Sequence, residues 1–256
     1  MPNRVKKQLQ PYPPECFDAS GAFETCRVRK ARVIHQKEHM SRLEGSLKTL
    51  GISPLETGVL ERELARAARK VGEGFVRVAV RRVGRPRIII HEEPHLPYKR
   101  KELDHGISVV TAATRQPGTQ ALPAQAKYSE RLSSILARME GKIAPEILRL
   151  NSLGFLTEGT VSNLFIVKEG ELLTPPTWLG VLEGVTRDQV FQVARRLRIP
   201  MRETPLTRHD LFCADEAFLT NVLMGVGPIR EVDGRRIGAA VPGPITRCLM
   251  KAMRKG

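Results

Sequence analysis

LTEGTVSNLFIVKEGELLTPP, residues 156–176, is the stretch around which this 256-residue chain is organised. β-Branched and aromatic residues between Gly and Pro punctuation predict a tight turn, a strand over 163–167, a Lys-Glu-Gly turn and a second strand over 171–174. At the entrance, Glu158 precedes Gly159 and Thr160, and Ser162-Asn163 leads straight into the apolar strand. A carboxylate beside buried backbone is costly unless a cation or a hydrogen-bond donor meets it. Spacing alone leaves two readings of Glu158 open, a cap on the turn or a carboxylate placed for a partner.

Working outward, residues 1–15 are rich in Lys, Gln and Pro and read as an irregular arm. Strands are predicted over 21–28 and 32–35. Met40, Leu43, Leu47 and Leu50 recur at helical spacing over 39–50, and Gly51 follows as a stop. A second helix is predicted over 54–71. A strand over 75–83, alternating apolar residues with Arg77, pairs with 87–90 across Gly84-Arg85-Pro86, and another strand covers 106–113. RQPGTQALPAQ (115–125) carries two Pro and one Gly and reads as a linker. It divides a smaller N-terminal α/β domain, 1–114, from a larger C-terminal one, 126–256. Beyond it come a helix over 129–140, a short element over 146–150, the central hairpin, a helix over 187–198, a strand over 216–220 and a last helix after Pro244.

Composition narrows the function classes. No apolar run approaches the roughly 18 residues of a membrane span, and the basic start lacks the apolar segment of a secretory signal. Cys16, Cys26, Cys213 and Cys248 show no CxxC spacing, so reduced thiols in a cytoplasmic protein are expected. A net charge of +15 raises the question of nucleic acid. The basic residues are nevertheless spread along the chain, on helix faces such as Arg62, Arg66 and Arg69, without interleaved aromatics. A solvated basic surface that draws anionic ligands is the reading taken, with no nucleic-acid partner.

Lys127 stands in PAQAKYSERL, just ahead of a helix whose apolar positions are Leu132, Ile135, Leu136 and Met139. A lysine at a helix N-terminus opposes the dipole, and burial beside Ala and Tyr lowers its pKa further. An uncharged amine is a nucleophile able to form a Schiff base; a surface lysine ahead of a helix is the alternative. Thr186 and Gln189 match a capping box, and a helix N-terminus there offers free N–H groups to an anion. Arg81 and Arg82 end a strand, as surface residues or as substrate contacts. His91-Glu92-Glu93-Pro94-His95 fits H-E-x-x-H, which binds zinc only on a helix. Pro94 disfavours α geometry at Glu93, so no metal site is expected.

EGTVSNLF, then LLTPP, then LEGVTRDQV resemble in order and spacing the signature of the class IV aminotransferases. These are the fold-type IV pyridoxal-phosphate enzymes: branched-chain aminotransferases, D-amino-acid aminotransferases and aminodeoxychorismate lyases. The resemblance spans roughly residues 20 to 250. It implies an α/β (α+β) fold of two domains with the active site at their interface, pyridoxal 5′-phosphate as cofactor, and a homodimer with its sites near the subunit interface. It assigns Lys127 to the catalytic lysine, in a context similar to K-x-x-N-R-L, with Glu130 where that pattern has Asn. It assigns Glu158 to the carboxylate facing the pyridine nitrogen, which keeps the ring an electron sink. The backbone of Val185, the hydroxyl of Thr186 and Arg42, in a match to H-x-x-R-L, fall to the phosphate. LTNVLMGVGPI resembles the loop between phosphate and substrate carboxylate. Val222 stands there where many relatives have Ser or Thr, leaving Thr220 or Asn221 to compensate. Arg81 and Arg82 lie where several relatives hold substrate. FDASGAFET is similar to Y-G-D-G-V-F-E-T, but Asp18 replaces the aromatic and Ala19 the first Gly, so specificity is not carried over.

The expectation is therefore an aminotransferase acting on a branched-chain or D-amino acid and a 2-oxo acid. An aminodeoxychorismate lyase is the first rival, favoured by K-x-x-x-R-L, by FET at 23–25 and by the TNxLMGV string. A non-catalytic basic binding protein on the same fold is the second, motivated by Glu130, Val222 and Asp18.

Overall fold

The computed structural model describes residues 21–52, 58–83, 85–129, 131–141 and 144–254, and the statements below concern these. The N-terminal arm, Cys16, Asp18, Ala19, the expected helix start at Pro54, Gly84 and Glu130 lie outside them. None of the described helices is long and apolar enough to cross a membrane. Cys26 is buried, Cys213 and Cys248 are exposed, and all three are free thiols.

The chain opens with β1 (Gly21–Arg29) and the two-residue β2 (Arg32–Val33), followed by α1 (Gln36–Thr49) and α2 (Val59–Val71). β3 (Gly74–Val83) and β4 (Arg85–Glu93) complete an antiparallel sheet of order β2-β1-β3-β4. Side chains alternate across a strand. Ala22, Cys26 and Val28 of β1 and Val76, Val78 and Val80 of β3 therefore bury one face under Met40, Leu43 and Leu47 of α1 and Leu64 of α2. Gly51, at φ 64°, ends α1 as its position predicts. β4 runs on through His91-Glu92-Glu93, where adjacent side chains point to opposite faces. The helix that an H-E-x-x-H zinc motif requires is replaced by a strand.

After α3 (Arg100–Asp104), β5 (Ile107–Thr111) joins a different sheet, pairing in parallel with two later strands. Sheet membership thus changes between Glu93 and Ile107, ahead of 115–125, which holds neither helix nor strand. Then follow α4 (Leu132–Glu140), β6 (Glu146–Leu150), β7 (Leu156–Gly159), β8 (Asn163–Lys168), β9 (Glu171–Thr174), α5 (Val185–Arg196) and β10 (Met201–Glu203). The last elements are α6 (Arg208–Phe212), β11 (Glu216–Asn221), β12 (Gly225–Val232), β13 (Arg235–Arg236) and α7 (Pro244–Arg254). The second sheet runs β10-β9-β8-β11-β12-β5-β6-β7, with β13 on β12. β7 also pairs with β8, through Glu158 and Asn163, so the strands from β8 round to β7 form a closed ring. Leu148, Leu150, Leu156, Leu164, Ile166 and Leu219 fill one face of it. On the other, Phe165 stacks on Phe218 at 5.1 Å beneath α5 and α7.

Three sequence expectations change. Residues 156–159, read as a turn, form a strand. α4 begins at Leu132 rather than 129, because the preceding residues are extended against β1: Tyr128 bridges Ala22, and the Ser129 N–H donates to Gly21 O at 2.7 Å. α5 begins two residues early with Gly184 as N-cap, so Thr186 falls inside the helix and its capping box does not form. A capping box does form on α6, between Thr207 and Asp210.

A buried ionic knot ties β1 to α1. Glu24, on the core face of β1, is fully buried. It accepts Nε and Nη2 of Arg42 at 2.7 and 2.8 Å and meets His39 Nδ1 at 2.8 Å. Burial pushes its carboxyl up, but the hydrogen bonds from His39 and Arg42 and the nearby charges of Arg42 and Lys127 outweigh that and hold it at about 2. A carboxylate with a depressed folded pKa stabilises above its unfolded value of 4.5, and that contribution fades as pH falls toward 2. Glu24→Gln is expected to cost about 3 kcal/mol at pH 7, with the gap to wild type closing between pH 4.5 and 2. Urea titrations across that range check it; a pH-independent gap contradicts it.

Candidate active site

A cavity of about 700 Å³ lies between the outward face of the four-stranded sheet and the seam where the strand ring closes. Alternation on β1 and β3 delivers Phe23, Thr25 and Arg77 to it, since their neighbours Ala22, Val76 and Val78 are in the core. Among the described residues, Arg42, Arg77, Arg131, Arg138 and Lys127 line it against the single carboxylate of Glu158. Such an excess of positive charge favours an anionic occupant.

Lys127 sits in the extended bridge to β1. Its carbonyl accepts Phe23 N–H at 3.1 Å, and its own N–H donates to Ser46 Oγ of α1 at 2.9 Å. The amine stands 4.8 Å from the centre of the Phe23 ring. Burial lowers its pKa, Arg42 and Arg131 lower it further, and Glu24 and Glu158 only partly oppose them, leaving it at about 7. Of the two expected causes, burial is present and the helix dipole is not, because α4 starts five residues later; the neighbouring arginines add to the burial.

Glu158, 4% exposed, is met from four parts of the chain. Oε1 accepts Arg131 Nη2 at 2.9 Å and Arg149 Nη2 at 3.0 Å, while Oε2 accepts Leu182 N–H at 2.9 Å and Asn163 Nδ2 at 3.3 Å. It is more than a turn cap. The turn after it is held by another buried carboxylate, Glu146, which accepts the N–H groups of Thr160 at 2.9 Å and Val161 at 3.2 Å and Ser162 Oγ at 2.8 Å. A Cβ on Gly159 would overlap Ser162 Oγ, so glycine is required there.

The start of α5 faces the same space. Gly184, Val185 and Thr186 line the cavity, and the Asp188 N–H is the first to bond back into the helix, to Gly184 O at 3.0 Å. The N–H groups of Val185, Thr186 and Arg187 precede it, as at any helix N-terminus. Arg42 Nη1 donates to Glu183 O at 2.6 Å, which brings its guanidinium to this end. Three of its five N–H donors are then engaged and two remain. A side chain on Gly184 would collide with Asn163 Oδ1, so α5 can approach the seam only through glycine.

At the end of β11, Thr220 and Asn221 part company. Thr220 Oγ1 is buried at the cavity without a hydrogen-bond partner among the described residues. The Asn221 side chain is occupied: Oδ1 accepts Leu223 and Met224 N–H at 3.0 and 2.7 Å, and Nδ2 donates to Tyr98 Oη at 3.2 Å. Of the two residues expected to compensate for Val222, Thr220 is the one whose buried side-chain oxygen has no partner among the described residues. Arg81 and Arg82 do not line the cavity. Arg77, four residues earlier on β3, does, with Nε donating to Thr25 Oγ1 at 3.2 Å. The period-two pattern puts Arg77 and Arg81 alike on the face away from Val76, Val78 and Val80, and of the two only Arg77 lines the cavity. Sequence reasoning also missed Arg131, Arg149, Glu146 and Asn163 around Glu158.

Comparison with known proteins bears on this arrangement. The family model described as amino-transferase class IV matches residues 21–232. A Methanocaldococcus jannaschii protein, provisionally named a branched-chain-amino-acid aminotransferase, is 33% identical over 250 residues, covering 91% of this chain and 86% of that one. A branched-chain amino acid aminotransferase from T.th., solved with pyridoxamine 5′-phosphate, superposes with a TM-score of 0.83 at 26% identity over 92% of this chain and 84% of its own. The 4-amino-4-deoxychorismate lyase of Pseudomonas aeruginosa superposes with a TM-score of 0.81 at 29% identity, over 92% and 90%. The chain belongs to the class IV aminotransferases.

Proposed function

We propose that this chain transfers an amino group between an amino acid of the branched-chain or D-amino-acid type and a 2-oxo acid, with Lys127 as its catalytic residue. The observation that carries the reading is an amine of pKa about 7 sharing one cavity with a buried, ion-paired carboxylate. Pyridoxal 5′-phosphate, the family's cofactor, supplies an electron sink for the carbanion at the substrate's α-carbon. The residues present fit it. Lys127 Nζ is the amine to hold it and to carry the proton to and from that carbon. Glu158 would face the ring nitrogen. Arg42, the Val185 and Thr186 N–H groups and the Thr186 hydroxyl would hold the phosphate, with the unpartnered Thr220 hydroxyl available to it. Arg77 is the cation for a substrate carboxylate, and Phe23, Ile135, Met139 and Val161 offer apolar surface to a side chain.

The two sheets correspond on this reading to two domains that enclose the site, and the active form is a homodimer. Leu132, Ile135, Leu136 and Met139 form a stripe on α4, between 44% and 64% exposed, and Ile135 and Met139 also border the cavity. An apolar stripe continuous with a cavity mouth suits a second copy of the chain.

Pyruvate elimination from aminodeoxychorismate is the second reading, favoured by the lyase-like placing of Arg131 after Lys127 and by coverage of 90% of the Pseudomonas aeruginosa lyase. Formation of glutamate from 2-oxoglutarate and a branched-chain or D-amino acid supports the transferase; pyruvate release without amino transfer replaces it with the lyase.

Borohydride reduction of protein loaded with pyridoxal phosphate, followed by peptide mass spectrometry, is expected to place the label on Lys127 and to find none in Lys127→Ala. Capture is expected to speed up as pH rises through about 7, because only the uncharged amine attacks. Label persisting in Lys127→Ala contradicts the assignment. In light scattering, Leu136→Glu is expected to halve the mass of the wild-type particle, since a charge on the stripe would be buried unpaired; a monomeric wild type contradicts the dimer.

A further inference from the structure

Arg149 holds no role in the chemistry above, yet its position is costly. It lies on β6 between Leu148 and Leu150, is 1% exposed, and its Nε is buried without a partner among the described residues. Burial pulls the guanidinium below its ordinary pKa, with Glu158 opposing. An aliphatic chain would fill the same place without taking a charge out of water.

Its contacts show what the cation does. Nη2 donates to Glu158 Oε1 at 3.0 Å and to Gly159 O at 3.2 Å, and Nη1 reaches Ser133 Oγ at 3.4 Å. Arg131 places a second guanidinium on the same Oε1, at 2.9 Å. The last torsion of a glutamate is broad, and donors arriving from several elements fix the plane of the carboxylate. Leu182, Asn163 and Arg131 line the cavity and Arg149 does not, so Arg149 holds the carboxylate from the protein side while the other three hold it from the cavity side.

We infer that Arg149 is a positioning residue for Glu158, present to fix the plane in which its carboxylate would meet the cofactor ring rather than to stabilise the fold. The inference rests on the role given to Glu158 above. It predicts opposite signs for stability and for function, which an ordinary structural arginine would not give.

The test compares wild type, Arg149→Met and Arg149→Lys. Melting of the cofactor-free proteins is expected to put Arg149→Met level with wild type or higher, since Glu158 keeps Arg131 and the buried charge is gone. Titration with pyridoxal phosphate is expected to show Kd raised about tenfold in Arg149→Met, the loss of one charge-assisted hydrogen bond. The absorbance band of the bound cofactor is expected to move, and kcat to fall while KM for the amino donor stays within about twofold. Arg149→Lys, which returns a donor and a charge, is expected to recover part of each. Unchanged Kd and absorbance in Arg149→Met overturn the inference. So does a lowered melting point with no recovery in Arg149→Lys, which marks a structural residue. A wild type that takes up no pyridoxal phosphate overturns the proposed function and this inference with it.

Discussion

Glu158 and Asn163 close the strand ring, and around that closure every other part of the cavity is arranged. The carboxylate gathers Arg131 from the start of α4, Arg149 from β6, Asn163 from β8 and the Leu182 N–H from the segment before α5. A buried charge must be paired and hydrogen-bonded or it expels itself from the interior. Glu158 therefore ties four separate parts of the chain to one point. Glu146 extends the constraint by ordering the turn from Gly159 to Ser162, and the glycine at 184 lets α5 reach the seam.

Charge balance explains why the amine of Lys127 differs from an ordinary lysine. Arg42 is matched by Glu24, and Arg131 and Arg149 share Glu158, so the carboxylates near the cavity are spoken for before Lys127 is counted. The surroundings of the amine are the Phe23 ring and a field dominated by guanidiniums. Neutrality near pH 7 follows, and the same surplus of cations gives the cavity its bias toward anions. The basic character of the whole chain thus has a local counterpart with a chemical use.

Much of this was legible in the sequence. The hairpin after Asn163, the helix expected over 39–50 with its glycine stop and the helix after Pro244 follow from periodicity and punctuation, which are local. Lys127, Glu158, Arg42, Val185 and Thr186 were named through motif order, and the structure gathers them round one cavity. What could not be read were the partners across the fold. Arg149 sits in an apolar run and Glu146 at a strand start, and neither has a neighbour in sequence that explains it. A substrate arginine was sought at a strand end, at 81 and 82; alternation puts Arg81 and Arg77 on the same face, and position along the strand, which no local pattern gives, leaves only Arg77 lining the cavity. The helix dipole was invoked for Lys127 because the helix was taken to start at 129; the bridge from Tyr128 to Ala22 is a long-range contact that no local pattern encodes.

The most direct measurement is a crystal structure of the protein grown with pyridoxal phosphate. The account predicts density continuous from Lys127 Nζ, the ring nitrogen within hydrogen-bond reach of Glu158, and the phosphate at the start of α5 beside Arg42. Cofactor bound elsewhere, or a ring whose nitrogen faces away from Glu158, would contradict it.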